Sequence, residues 1–162
     1  MKTNNLNCLT PPEKIFLPDG TELRLCVGAV PRQGHAKLYC SAMGIFFSLS
    51  SRGLNQIKCY HVKNFKAKPN VHSYYPRMCG FIGNPYCHLL VAIAWIGPRR
   101  FNHECHHLNG DHTDNRASNL IWLSHEAHLR FDAALRHGFV LERDLRSTDE
   151  IMQYEMTHHM EC

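Results

Sequence analysis

The 162-residue sequence has no acidic side chain between Glu22 and Glu104, no lysine after residue 100, no Cys-x-x-Cys pair and no long apolar run. The longest apolar run, Leu89–Gly97, has nine residues. A bilayer crossing needs roughly 20, so a transmembrane helix is excluded and no membrane partner is expected. The first twenty residues lack the apolar stretch of a secretory signal, which predicts a soluble, cytoplasmic protein. In that compartment most of the eight cysteines read as reduced, buried small hydrophobes rather than a disulfide framework. Without Cys-x-x-Cys spacing, the usual zinc knuckles and ribbons are excluded.

The missing acids matter more than the net charge of +4. Residues 1–100 hold 13 Lys or Arg against 3 Asp or Glu, a balance of +10, while residues 101–162 hold 5 Arg against 11 acids, a balance of −6. A basic stretch without internal acids keeps a positive potential that pairing cannot cancel. Its natural partner is a polyanion, most often nucleic acid. Arg52, Lys58, Lys63, Lys66, Lys68, Arg77, Arg99 and Arg100 are the candidate DNA contacts, interleaved with Phe65, Tyr74 and Tyr75.

Hydrophobic residues make up 44% and charged residues 20%, enough apolar side chain for a buried core. Pro11, Pro12, Pro18 and Asp19-Gly20 give the N-terminal stretch the look of an irregular lead-in. Residues 38–50 alternate around Gly44 and predict a hairpin, with a turn at Ser51-Arg52-Gly53. Residues 54–70 fit no element, and Tyr74 to Phe81 predicts a further strand. Residues 86–96 are apolar on all sides and stop at Gly97-Pro98, the pattern of a buried helix.

Asn109-Gly110-Asp111 marks a turn after a short segment, Glu104–His107. Leu120–Leu123 is a strand candidate, and Ser124 is a plausible N-cap. Ala127, Phe131, Ala134 and Leu135 then mark one face of a helix, with Gly138 at its C′ position. The predicted order is strand, long loop, strand, helix. Seven of thirteen histidines lie between His103 and His137. A regular strand would send His106 and His107 to opposite sides, so a twist or bulge is needed for both to reach one site. If the helix packs back over the strands, His128 can face His106, and two imidazoles with water and a phosphate oxygen can complete a divalent metal site. His107 then stays free as a base facing water. A structural zinc site from Cys105, His106 and His128 is the rival arrangement. His112 and His125 read as surface polar residues, and His88 as structural.

Cys105–Gly110, Asp114–Ser124 and His125–His128 together closely resemble the HNH endonuclease motif in its phage and homing-type form. His88–Ala92 with Trp95–Gly97 is similar to the helix that precedes that motif. Tyr39 to Leu49 more weakly resembles the small DNA-binding module often fused to it. The resemblance implies an α+β chain: a small mixed N-terminal region with short strands, then a ββα-metal (His-Me finger) HNH unit. It divides the chain into an irregular lead-in (1–37), a basic DNA-binding module (38–85), a nuclease domain (86–138) and a C-terminal tail (139–162). It implies that His107 is the general base, that His106 and His128 ligate the metal, and that Asn119 orients His107 by bonding the loop. The implied activity is metal-dependent hydrolysis of double-stranded DNA leaving a 5′ phosphate and a 3′ hydroxyl, by a monomer that nicks, with a dimer as the alternative. Mg²⁺ is the first choice of metal; Mn²⁺, Ni²⁺ and Zn²⁺ also suit imidazole. A bacterial or phage-infected cell is the implied setting. Two other readings keep the same fold: a catalytically inactive DNA-binding protein and a zinc-stabilised interaction module.

Overall fold

A computed structural model describes residues 12–61 and 75–136, with backbone alone for His61 and for 131–136. Five antiparallel strands form a meander: β1 (Lys14–Phe16), β2 (Glu22–Leu25), β3 (Lys37–Ser41), β4 (Phe46–Ser50) and β5 (Gly53–Ile57). The β3–β4 hairpin is the one predicted, with Tyr39 opposite Phe47 and Cys40 opposite Phe46. The N-terminal expectation is corrected. Lys14–Phe16 and Glu22–Leu25 are strands, with Leu23 opposite Ser41, so the sheet runs continuously through the stretch read as irregular. Both strands are too short to show alternation in the sequence, and their pairing is supplied by β3. β5 starts at Gly53, the last residue of the predicted turn, and runs into the stretch that the sequence left unassigned. The strand expected from Tyr74 to Phe81 contracts to β7 (Pro76–Arg77), paired with β6 (Tyr60–His61).

Helix α1 (Cys87–Trp95) forms as expected and buries Cys87, His88, Leu90, Val91 and Ala92. It lies between the sheet and a second hairpin, β8 (His103–His107) with β9 (Leu120–Ser124). Trp95 Nε1 donates to the Cys40 carbonyl at 3.2 Å, and Trp122 Nε1 donates to the Gly97 carbonyl at 3.0 Å. These bonds tie α1 to both sheets and satisfy indole donors that burial would otherwise strand. One buried cluster joins Cys26, Leu38, Cys40 and Phe46 of the sheet to Val91 of α1 and to Cys105 and Trp122 of the hairpin. Cys26, Cys40, Cys87 and Cys105 are buried free thiols, as expected. Cys8 and Cys162 lie outside the described residues.

Helix α2 (His125–Arg136) covers the other face of the hairpin. The Ser124 hydroxyl accepts from the Ala127 N–H at 3.2 Å, the expected cap. Ala127 packs with Ile121, Leu123 and Leu108 in a second small cluster. Phe131, Ala134 and Leu135 are without described side chains, and Gly138 lies outside the described residues. The described chain is an α+β structure of antiparallel sheets and few helices. Among the described residues no helix is long and apolar enough to cross a membrane.

Candidate functional site

The hairpin is the divider on which the site is built. β8 and β9 pair in unbroken register: Glu104 faces Leu123, Cys105 faces Trp122, His106 faces Ile121 and His107 faces Leu120. Directly opposed residues share a face of the sheet. Leu123 and Ile121 pack against α2, so Glu104 and His106 belong to that side. Trp122 and Leu120 belong to the core around α1, so Cys105 and His107 belong to the other. The twist or bulge expected to bring His106 and His107 into one site is absent; regular pleating separates the rings.

On the α2 side, the rings of His106 and His128 meet edge to face with centroids 5.0 Å apart. This is the juxtaposition that the sequence predicts. His106 is buried and His128 is half-buried. Glu104, which sequence reasoning missed, reaches both neighbouring imidazoles of α2. Its Oε2 accepts from His128 Nδ1 at 2.6 Å and its Oε1 from His125 Nδ1 at 3.1 Å. Hydrogen bonds from His125 and then His128 hold the Glu104 carboxyl below the usual carboxylate range. A carboxylate on Nδ1 fixes the tautomer and leaves Nε2 of His128 as the free donor atom, an arrangement that suits metal ligation. The donor set is two imidazoles. Among the described residues no group of three His, Cys, Asp or Glu side chains is arranged to hold a metal ion. The rival Cys105–His106–His128 site therefore does not form. Cys105 faces the opposite core, and burial pushes its thiol up to about 12.

On the α1 side, His107 is only 2% exposed. The expectation of a ring facing water is corrected: four side chains enclose it. Its Nε2 lies 3.2 Å from Asn115 Oδ1. An amide oxygen only accepts, so Nε2 carries the proton and Nδ1 holds the basic lone pair. The ring centroids of His88, His112 and Tyr75 lie 5.2, 5.5 and 6.0 Å away. Tyr75 and His112 stack on each other at 4.4 Å, 19° from parallel. His112 is thus a wall of the cluster rather than surface decoration. His88 is buried as expected, and burial beside His107 and His112 drives its pKa down to about 3. Burial, opposed by the Asn115 hydrogen bond, also lowers the pKa of His107, so the ring is neutral at neutral pH.

Asn119 holds the loop between the strands. Its Oδ1 accepts from the Asn109 N–H at 3.0 Å, and its Nδ2 donates to Asn109 Oδ1 and to the Asp114 carbonyl at 2.9 Å each. Its contact with His107 runs through this loop; the ring itself is held by Asn115, a residue that the sequence pattern did not single out. The same loop is pinned from the five-stranded sheet. Ala117 N–H donates to the Ala42 carbonyl at 2.8 Å. Gly44 has φ +73°, and a Cβ there would sit 2.7 Å from the Asn115 carbonyl oxygen. The β3–β4 turn and the loop that positions His107 therefore form one contact.

Of the basic candidates, Arg52, Lys58, Arg99 and Arg100 are exposed. Arg77 is committed internally: it lies 4.0 Å over the Tyr86 ring and donates to its hydroxyl. Arg99 Nε donates to the His103 carbonyl. Lys63, Lys66 and Lys68 lie outside the described residues.

No protein-family model matches the chain, and no curated protein matches it. A solved structure of the HNH homing endonuclease I-HmuI, described for DNA binding and cleavage, aligns with 18% identity and a TM-score of 0.46 over 75% of this chain. The chain spans 62% of that protein's length. A likeness of that size carries no argument about function, which rests on the side chains described above.

Proposed function

We propose that the chain is a metal-dependent HNH endonuclease that hydrolyses double-stranded DNA, a nicking enzyme of the homing or phage type acting as a monomer. The observation that carries this reading is the edge-to-face contact of His106 and His128, with Glu104 on the Nδ1 of His128. A divalent ion held by these two imidazoles, Mg²⁺ or a related cation, would supply Lewis-acid stabilisation of charge on the phosphate. The chain's own residues would do the rest. Asn115 fixes the His107 tautomer so that Nδ1 is free to take a proton from water. Asn119 keeps the loop closed so that the ring does not swing. Arg52, Lys58, Arg99 and Arg100 present exposed positive charge to the phosphate backbone. His107 ends β8, so a phosphate lying against that strand end would touch both faces of the hairpin.

Supercoiled plasmid incubated with the protein and Mg²⁺, Mn²⁺, Ni²⁺ or Zn²⁺ tests this reading. Conversion to the nicked circle, abolished by chelator, is the expected result. The burial of His107 favours a second reading, a DNA-binding protein of the same fold that does not cut. Plasmid that is bound but left supercoiled under every ion would establish that second reading instead.

A further inference from the structure

The sulfur atoms of Cys59 and Cys87 lie 2.6 Å apart, although the residues are 28 positions apart in the chain. Both are free thiols. Cys87 opens α1 and is fully buried, whereas Cys59 lies between β5 and β6 and is half-buried. A sulfur–sulfur separation of 2.6 Å is only a little longer than the roughly 2.05 Å bond of a cystine, so closing it requires little backbone movement. We infer that Cys59 and Cys87 are a redox modification site that closes to a reversible disulfide by exchange with a low-molecular-weight disulfide. The site adjoins the histidine cluster through His88, but the inference does not depend on the nuclease reading.

The exchange takes two steps. The Cys59 thiolate attacks one sulfur of the small disulfide, breaks its S–S bond and expels one small thiolate. The Cys87 thiol then gives up its proton and attacks the Cys59 sulfur, expelling the second small thiolate. Two protein thiols are oxidised and one small disulfide is reduced to two thiols. The asymmetry of the pair sets the order. The hydrogen bond from Cys87 lowers the Cys59 thiol, while the same bond and burial raise Cys87. Cys59 is thus the accessible, more acidic partner and Cys87 the resolving one. Cys26 and Cys40 share the same core cluster, but both are buried and out of a small disulfide's reach. The new bond would tie the connection between β5 and β6 to the first turn of α1, one residue from His88.

The test treats the full chain with oxidised glutathione, alkylates the remaining thiols and maps the peptides by mass. The expected product is a cross-link between the peptides holding Cys59 and Cys87, reversed by dithiothreitol. Cys87→Ser should stop the reaction at a glutathione adduct on Cys59, and Cys59→Ser should leave Cys87 free to alkylate on unfolding. Should Cys87→Ser fail to fold, the wild-type map and the half-buried Cys59→Ser variant decide. Cys59 that remains freely alkylated after treatment, a cross-link joining Cys26 to Cys40, or one equivalent of zinc that blocks oxidation until chelator is added would each overturn the assignment.

Discussion

His106 and His128 come from different elements, a strand and a helix, yet their rings touch edge to face at 5.0 Å. The contact exists because Ile121 and Leu123 of β9 and Ala127 of α2 bury a common apolar patch, which lays the first turn of α2 over the face of β8 that carries Glu104 and His106.

Glu104 is the support of that pair, and removing it should loosen the helix side of the site. Glu104→Ala frees Nδ1 of both His125 and His128. Loss of such an outer partner typically costs 10–100-fold in metal affinity. The concentration of Mn²⁺ giving half-maximal plasmid nicking should rise by about that factor, with maximal nicking partly restored at high metal. An unchanged titration would remove Glu104 from the metal-holding role.

Asn119 satisfies three groups of the inter-strand loop. Asn119→Ala leaves them without that partner in a partly buried setting, at about 1–3 kcal/mol for a stranded group. A loss of about 2–4 kcal/mol in urea unfolding is expected, together with weaker nicking and little change in the metal titration. Full stability in this variant would show that the loop is held from elsewhere.

Gly44 couples the two sheets. A methyl group there would press on the Asn115 backbone, and its positive φ is strained for any L side chain. Gly44→Ala should lower stability by about 1–3 kcal/mol and reduce nicking more than DNA affinity, because the displaced residue is the one that fixes the His107 tautomer. Equal losses in both would point to general unfolding.

Low pH should act on both activity and stability. His88 and His107 have folded pKa values below the ordinary imidazole value, His88 at about 3. Between that value and roughly 6.5 the unfolded chain binds more protons than the folded one. Stability contributed by these groups is therefore fully present above about 6.5 and falls as the pH is lowered through the window. Urea midpoints should drop between pH 6.5 and 4, and His88→Phe should flatten the slope. Nicking should persist below pH 6.5, since a lowered pKa keeps His107 unprotonated there.

The sequence made the ββα order, the buried helix α1 and the His106–His128 contact legible, because periodicity, caps and turn residues act locally. It was silent on β1 and β2, three and four residues long, whose pairing with β3 comes from outside the segment. It misjudged His107 for a related reason. Adjacent histidines in a strand are separated by pleating, and what surrounds each depends on which helix lies on which face. Tyr75, His88 and Asn115 reach that ring from positions 8 to 32 residues away, a distance over which no local pattern speaks.

On the proposed function, His107 removes a proton from water while the basic surface holds DNA independently. Nicking of supercoiled plasmid and DNA affinity, measured side by side for the wild type and His107→Ala with the same divalent ion, test it most directly. General-base loss predicts nicking slower by about 10²–10⁴-fold with affinity nearly unchanged. Wild-type nicking by His107→Ala would remove the ring from catalysis, and no metal-dependent nicking by the intact protein would rule out the nuclease.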